Sequence, residues 1–210
     1  MMKILKAGQV PLSEILARAE DQRDISGIVA GIIAEVRKNG DAALRRYAKE
    51  FDHADIDALE VPGEQLDKAL ADLEPDLRAV LEEAAENIRA FHQRQVQNGF
   101  TISEKSGVVL GQKVTPIEKV GVYIPGGTAP LPSTVLMDCI PAKIAGCSEI
   151  MMVSPPACGG DIAPIILAAA RIAGVDRVFR CGGAQAVAAL AYGTESVPRA
   201  DKIVGPGNAF

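Results

Sequence analysis

Residues 120–153 read VGVYIPGGTAPLPSTVLMDCIPAKIAGCSEIMMV, and this stretch decides the fold. Its first residues, Val120–Ile124, predict a short apolar strand, and Ser133–Ala145 predict a helix that begins at a capping serine and stops before a glycine. A second apolar strand is predicted over Glu149–Val153. Pro141 removes a backbone hydrogen bond inside the helix, which costs about 3 kcal/mol or forces a kink. The sequence therefore does not decide whether the second half of this helix forms.

The same alternation of strand and helix continues to the end of the chain. Glycines and prolines separate the elements, which are predicted as a helix over Asp161–Ala173, a strand over Arg177–Arg180, a helix over Ala184–Tyr192 and a strand over Lys202–Val204. The resulting order β-α-β-α-β-α-β predicts an α/β fold, in which a parallel sheet with right-handed crossovers is covered by helices on both faces.

Composition changes near residue 120. Residues 1–120 hold 21 acidic and 16 basic side chains, whereas residues 121–210 hold six of each but 12 of the 20 glycines and 9 of the 13 prolines. The first pattern is typical of solvated helices, and the second of strands and helices joined by tight turns. We therefore predict two units: a mainly helical region over 1–120 with extended segments near its end, and a parallel-sheet domain over 121–210.

Two helices with a break between them are predicted in the helical region. Apolar residues at helical spacing stop at Asn39-Gly40, which is a common C-terminal signal. Asp41 can cap the following helix, and Phe51 is predicted on the inner face of that helix. A later helix opens at Pro75, and its inner face is predicted to hold Leu77, Val80, Leu81, Ala84, Ile88 and Phe91.

Extended segments follow these helices, before the first strand of the sheet domain. They are predicted over Ile102–Glu118, with Gly107 and Gly111 as the turns between them. Neither unit contains an internal repeat or a low-complexity tract.

Composition and charge exclude several classes of protein. A chain of 210 residues with 48% apolar and 23% charged residues is globular and not disordered. The net charge of −5 gives no basic footprint, so we expect no nucleic-acid partner. The uncharged stretch Val120–Met137 contains six glycines and prolines and is a poor membrane span. The apolar run at the start of the chain is too short for a signal peptide.

The cysteines and histidines indicate neither a disulfide nor a metal site. Cys139, Cys147, Cys158 and Cys181 form no C-x-x-C pair, and buried structural thiols in a reduced, cytoplasmic protein are favoured over a nucleophile. The two histidines, His53 and His92, lie on polar helical segments, and we expect them to be solvated.

Glycine-rich segments are predicted at the carboxyl ends of three strands. They are Tyr123–Thr128, Cys181–Gln185 and Gly205–Asn208. Ligands of open parallel sheets bind at this edge, where glycines let the backbone approach a phosphate or a flat ring near helix N-termini. The pattern indicates a nucleotide or dinucleotide site, although glycine and proline also form plain turns in any α/β sheet. Because neither a complete G-x-G-x-x-G fingerprint nor a P-loop is present, both interpretations stay open.

Taken together, these segments resemble histidinol dehydrogenase. The resemblance is carried by Gly121-Val-Tyr-Ile-Pro-Gly-Gly-Thr-Ala-Pro-Leu-Pro-Ser-Thr-Val-Leu-Met137, by Gly182-Gly-Ala-Gln-Ala-Val-Ala-Ala-Leu-Ala-Tyr-Gly-Thr194 and by Lys202-Ile-Val-Gly-Pro-Gly-Asn208. The helical region is similar at Asn39-Gly-Asp41 and Phe51-Asp52, so the resemblance covers nearly the whole chain.

The resemblance implies a cytoplasmic, homodimeric oxidoreductase of histidine biosynthesis. Members of this family oxidise L-histidinol to L-histidine through a bound aldehyde and use two NAD molecules in turn. A zinc ion holds the substrate, and a glutamate–histidine pair moves protons and activates water. The implied fold is aldehyde-dehydrogenase-like, with residues 121–210 as a Rossmann-like, NAD-side domain that is truncated at its C-terminal end.

By position, the resemblance implies NAD contacts at Tyr123, Gln185 and Asn208. The tyrosine offers a ring and a hydroxyl, the glutamine a donor and an acceptor in the first turn of its helix, and the asparagine a short amide after a tight turn. Taken alone, each residue is better explained as a core tyrosine, a solvated glutamine or a turn asparagine.

The zinc ligands, the substrate contacts and the catalytic pair of the family lie beyond the position of Phe210. We therefore expect no catalytic and no metal-binding residue in this chain. We also expect the isolated chain to be inactive and to bind NAD weakly at best. Two alternatives stay open: a family relative that oxidises another small alcohol, and a non-catalytic nucleotide-binding module produced by truncation.

Overall fold

The computed structural model describes residues 8–16, 25–126 and 130–207. Three residues of the predicted site, Gly127, Thr128 and Asn208, lie outside the described residues. The helices are α1 (Leu12–Leu16), α2 (Ser26–Phe51), α3 (Gly63–Ala71), α4 (Pro75–His92), α5 (Pro132–Ala145), α6 (Pro164–Ala173) and α7 (Gly183–Tyr192). The strands are β1 (Phe100–Lys105), β2 (Val108–Gln112), β3 (Lys119–Tyr123), β4 (Glu149–Ser154), β5 (Arg177–Arg180) and β6 (Lys202–Val204).

A four-stranded sheet lies at the centre of the fold, with the strand order β5-β4-β3-β6. Every neighbouring pair is parallel, and β3 pairs with β4 from Lys119 opposite Glu149 to Tyr123 opposite Val153. This arrangement confirms the predicted β-α-β-α-β-α-β unit. The chain builds outwards from β3 through β4 to β5 and then returns to add β6 on the other side of β3.

Successive side chains of the sheet face opposite sides. In β4, Ile150 and Met152 pack in one core with residues of α5 and α6, whereas Met151 and Val153 pack in a second core with residues of α2 and α7. All four side chains are fully buried, and burial of each contributes about 1.5–3 kcal/mol. Helices therefore cover both faces of the sheet, as predicted.

The predicted elements of the sheet domain all form, with small shifts at their ends. The strands over Arg177–Arg180 and Lys202–Val204 have the predicted bounds. α6 begins at Pro164 instead of Asp161, because a proline disfavours the helical conformation of the residue that precedes it. The carboxylate of Asp161 instead accepts hydrogen bonds from Arg180.

Pro141 does not end its helix. α5 runs through this proline to Ala145, so the half of the helix that the sequence left open does form. Cys139 and Ile140, directly before the proline, are buried in the core between α5 and the sheet. Their burial outweighs the single backbone hydrogen bond that a proline removes.

α2 is bent at the predicted break. Gly40 has φ 49° and ψ −129°, a conformation that favours glycine, and a Cβ atom there would collide with the carboxylate of Glu195. Asp41 was predicted to cap the second half of the helix, and this prediction is wrong. Its buried carboxylate instead accepts hydrogen bonds from the Thr194 hydroxyl and from the backbone N–H and hydroxyl of Ser196. Glu195 takes the capping role, since it accepts the N–H of Asp41 at 2.8 Å.

Some predicted inner faces are exposed. In α4, Leu81 is buried and Ala84 and Ile88 pack against the core, whereas Val80 and Phe91 are 59% and 64% exposed. Phe51 and Leu77, also predicted inside, are 49% and 36% exposed. The predicted helix is confirmed, but only a narrow stripe of α4, centred on Leu81, packs against the core that it shares with α5 and α6.

The extended segments form a hairpin of β1 and β2. Gly107 lies in its turn, as predicted, with φ 80°. Gly111 was predicted as a turn but lies inside β2, where it pairs with Thr101. Every residue of both strands is exposed.

A buried arginine joins the helical region to the sheet. Arg180, at the end of β5, donates hydrogen bonds to the backbone carbonyls of Ala58 and Glu60 and to the side chains of Gln65 and Asp161. These bonds use all five guanidinium donors, so the charge is buried with its partners in place.

Asp41→Ala should lower the free energy of unfolding by about 2–3 kcal/mol, because it leaves the hydroxyl and N–H donors of the 194–196 loop without an acceptor. Urea unfolding measures this. The control is Asp55→Ala, whose exposed carboxylate pairs with Lys49 and should change stability by less than about 0.5 kcal/mol. Equal losses in the two variants would contradict a structural role for Asp41.

The pH dependence of the Asp41 contribution follows from its partners. Burial raises the pKa of Asp41, but the hydrogen bonds from Ser196 and Thr194 together lower this pKa by more than burial raises it. The pKa of Asp41 is therefore below its usual value. Because the folded-state pKa is below the unfolded value of 3.8, the stabilisation is present at neutral pH and is lost only as the pH falls below that value.

Candidate functional site

The strand order reverses between β3 and β6, and we refer to the region outside their carboxyl ends as the crevice; the predicted segments meet beside it. The chain leaves β3 towards β4 on one side, whereas β6 pairs with β3 on the other side. At such a reversal of strand order the loops diverge and leave room for a ligand. β3 ends here at Tyr123, and β6 ends at Val204.

Tyr123 connects the end of β3 to the start of α7. Its side chain is half-buried, and its hydroxyl accepts a hydrogen bond of 3.2 Å from the backbone N–H of Gly183. Gly205, the first residue after β6, packs so closely that a Cβ atom on it would lie 2.3 Å from the carbonyl oxygen of Tyr123. The ends of two strands and the first residue of a helix therefore meet at Tyr123.

The N-terminus of α7 lies at the same place. α7 begins at Gly183, and its N-cap residue, Gly182, has no side chain that could cap it. The N–H of Gly183 is bonded to Tyr123, and the dipole of the helix start favours an anionic group beside it. Gln185 lies in this first turn, as predicted, but its side chain is only 3% exposed and is therefore not a solvated surface glutamine.

Two of the three predicted NAD contacts come together around Gly183. The hydroxyl of Tyr123 binds the N–H of this glycine, and a Cβ atom on the glycine would lie 2.8 Å from Oε1 of Gln185. Asn208 lies outside the described residues, although the loop that leads to it starts at Gly205 beside Tyr123. That these residues contact NAD stays a prediction.

Sequence reasoning missed a residue that lies between the site loops. Pro155 directly follows β4, and its ring packs against Gly126 in the loop after β3 and against Gly182 in the loop after β5. The available signal was a proline just behind the predicted strand Glu149–Val153, at the same edge of the sheet as the glycine-rich segments.

The two buried cysteines are poor nucleophiles. Cys139 and Cys181 are buried, as expected of structural thiols, and burial raises the pKa of Cys139 to about 12. Burial, together with the carboxylates of Asp52 and Asp41, also raises the pKa of Cys181 well above its usual range. Cys158 is exposed, so the prediction of a buried thiol is wrong there; it lies in the turn between β4 and α6.

The histidines and the carboxylates form no metal centre in the described part of the chain. No group of three His, Cys, Asp or Glu side chains within residues 8–16, 25–126 and 130–207 could hold a metal ion. His53 is exposed, as predicted, but follows the end of α2 instead of lying within a helix. His92 ends α4, is half-buried and has its Nδ1 2.6 Å from Oε1 of Gln95.

Among the helices of the described ranges, none combines the length and the apolar character needed to cross a bilayer.

A buried carboxyl lies close to Cys181, at the start of the second glycine-rich segment. Oδ2 of Asp52, at the end of α2, is buried without a hydrogen-bond partner in the described part of the chain. Burial raises the pKa of Asp52 to about 6, against a smaller lowering by His53. The folded chain therefore holds a proton on Asp52 at pH values where the unfolded chain has released it.

Comparisons with known proteins agree on one family. A family model described as histidinol dehydrogenase matches residues 16–210. The histidinol dehydrogenase of Methanosarcina mazei is 47% identical over 209 residues, which cover 99% of this chain and 48% of the relative. That of Cupriavidus pinatubonensis is 51% identical over 207 residues, which cover 95% of this chain and 46% of the relative.

A solved structure gives the same result. The crystal structure of histidinol dehydrogenase from Elizabethkingia anophelis has a TM-score of 0.88 and 39% sequence identity, covering 95% of this chain and 47% of that chain. The chain thus spans about half the length of the curated relatives it matches.

Asp52→Asn should stabilise the protein at neutral pH. Because the folded-state pKa of about 6 exceeds the unfolded value of 3.8, the wild type loses stability as the pH rises through this window. Asparagine carries no charge, so the variant should be more stable by about 1 kcal/mol above pH 7, after allowance for solvent at this half-buried group. Urea unfolding at a series of pH values should show the gap closing towards the acid end.

The matched control is Asp55→Asn, which changes an exposed aspartate three residues away. Its curve should run parallel to that of the wild type across the whole pH series. A parallel curve for Asp52→Asn as well would contradict the inference that burial shifts the Asp52 carboxyl.

Proposed function

Since the chain belongs to the histidinol dehydrogenase family, we propose that it forms the NAD-side part of a histidinol dehydrogenase. The complete enzyme oxidises L-histidinol to L-histidine through a bound aldehyde, with two NAD molecules in turn, in histidine biosynthesis. The observation that carries the proposal is the meeting of Tyr123, the start of α7 and Gly205 at the crevice between β3 and β6.

The residues at this crevice fit a dinucleotide. The dipole and the N–H groups of the first turn of α7 suit a phosphate, and the ring and hydroxyl of Tyr123 suit a flat base or a ribose. Gln185 adds an amide that can both donate and accept a hydrogen bond, and Asn208 is proposed as the third contact. NAD, when bound, supplies the acceptor for hydride; the role of these residues is to bind and orient it.

We assign the NAD-side unit to residues 121–210 and a supporting role to residues 1–120. The supporting role is argued from the two cores, in which α2 packs against α7 on one face of the sheet and α3 and α4 pack against α6 and α5 on the other. We also propose the aldehyde-dehydrogenase-like fold for the complete enzyme.

Zinc does not fit the residues described here, and we derive no step through it. No described group of side chains could hold a metal ion, and the two buried cysteines, Cys139 and Cys181, have raised thiol pKa values that disfavour metal-binding thiolates. We propose that zinc, the substrate contacts and the catalytic glutamate–histidine pair belong to the other half of the family's length. The 210-residue chain alone is then inactive.

We further propose that the enzyme acts in the cytoplasm as a homodimer on a small-molecule substrate, with neither nucleic acid nor membrane as a partner. The four free cysteines and the net charge of −5 support the location and the lack of a nucleic-acid partner.

Mixing the chain with the C-terminal half of the Methanosarcina mazei relative should restore histidinol-dependent NADH formation, followed at 340 nm. The chain alone should bind NADH weakly and form none. Turnover by the chain alone would contradict the proposed division of the enzyme. If the mixture oxidises another small alcohol but not histidinol, the chain is part of a family relative with a different substrate. If the mixture binds NADH without turnover, the chain is a non-catalytic nucleotide-binding module.

Tyr123→Phe should weaken NADH binding by the chain about three- to tenfold, which corresponds to the loss of one neutral hydrogen bond. Fluorescence titration of NADH measures this. The matched control is Tyr192→Phe, which removes the hydroxyl of a half-exposed tyrosine at the far end of α7 and should leave the affinity unchanged. Equal affinities of all three proteins would argue against Tyr123 as a cofactor contact.

A further inference from the structure

The ring of Pro155 fills the gap between two loops of the candidate site. β4 lies between β3 and β5 in the sheet, and Pro155 is the first residue after β4. A Cβ atom built on Gly126 would lie 2.3 Å from Cγ of this proline, and one built on Gly182 would lie 2.5 Å from its Cβ. Both distances are far below a van der Waals contact, so each glycine backbone packs directly on the ring.

The two loops carry the groups that meet at the crevice. Gly126 is three residues beyond Tyr123, and Gly182 directly precedes Gly183. The hydrogen bond between the hydroxyl of Tyr123 and the N–H of Gly183 therefore spans the same two loops that the ring of Pro155 separates. A pyrrolidine ring is rigid and has no rotamers to change, which makes it a spacer of fixed thickness.

We propose that Pro155 is a positioning residue of the dinucleotide site, and that its ring sets the separation between the loop after β3 and the loop after β5. Pro155 acts by positioning Tyr123 and Gly183 and does not itself contact the dinucleotide. The role of the site as a dinucleotide site rests on the proposed function, whereas the spacing of the loops rests on the packing of Gly126 and Gly182 alone.

The two contacts are centred on different atoms of the ring, and this difference makes the proposal testable. A Cβ built on Gly126 lies nearest Cγ, with Cδ at 3.2 Å and Cβ at 3.4 Å, whereas one built on Gly182 lies nearest Cβ, with Cγ at 3.0 Å and Cα at 3.1 Å. Pro155→Ala removes Cγ and Cδ but keeps Cβ. It should therefore make room for a side chain at Gly126 and leave the collision at Gly182 in place.

The first experiment measures amide hydrogen exchange of the full chain by NMR. Pro155→Ala should speed exchange of the Gly183 N–H about tenfold, because the spacing that holds its hydrogen bond to Tyr123 is lost. The N–H of Gly193, bonded to the Ala189 carbonyl at the other end of α7, should be unchanged. Pro75→Ala, which removes an exposed proline at the start of α4, is the matched control and should change neither rate.

The second experiment is a rescue series, read by thermal unfolding and by NADH titration. Gly126→Ala and Gly182→Ala should each lower the melting temperature and weaken NADH binding. Adding Pro155→Ala should raise the melting temperature of the Gly126→Ala variant to that of Pro155→Ala alone, but should not raise the melting temperature of the Gly182→Ala variant. Rescue of both or of neither, or an unchanged exchange rate at Gly183 in Pro155→Ala, would overturn the spacer role.

Failure of the proposed function gives a different result. If the wild-type chain and its mixture with the C-terminal half of a relative bind no NADH, the dinucleotide assignment is wrong. The exchange rates and the melting temperatures then still decide whether Pro155 spaces the loops. If the wild type binds NADH and Pro155→Ala binds it equally well, the positioning role is wrong although the proposed function stands.

Discussion

In β4, every side chain from Ile150 to Ser154 is buried, because the strand has a parallel neighbour on each side and helices on both faces. The backbone groups of such a strand can be satisfied only by β3 and β5, and its side chains require two separate apolar layers. The helices of the N-terminal region supply part of both layers. The loops that leave the carboxyl edge of the sheet are therefore anchored in two cores at once, and the candidate site stands on that edge.

The elements of the sheet could be predicted because each is specified by local signals. Short apolar runs bounded by glycine or proline give strands and stops wherever the rest of the chain lies, as at Arg177–Arg180 and at Gly174. Contacts between distant segments could not be predicted in this way. Asp41 follows a glycine and precedes an apolar helix, which is also the pattern of a cap, and only the fold brings Thr194 to its carboxylate. Likewise, Val80 and Leu81 lie three and four residues after Leu77, spacings that both place a side chain beside it on a helix, but only Leu81 is buried in the core.

For the candidate site too, the positions of the loops could be predicted, whereas the contacts between them could not. The strand order places Tyr123 and the start of α7 at one edge, which follows from the rule that parallel strands end together. The distance across the site could not be predicted, since it depends on how the ring of Pro155 packs on two glycines that lie 56 residues apart in the sequence, Gly126 and Gly182. The burial of Gln185 was also out of reach, because a glutamine in the first turn of a helix is usually solvated.

The hydrogen bonds between Asp41 and the 194–196 loop join residues that are up to 155 positions apart. During translation, α2 leaves the ribosome long before this loop has been synthesised. The apolar face around Val36 and Leu44, which packs in one core with residues of α7, therefore stays uncovered while most of the chain is still being made. Apolar surface that is exposed in this way favours aggregation, so the interval before α7 is synthesised is the one in which the nascent chain is most exposed to it.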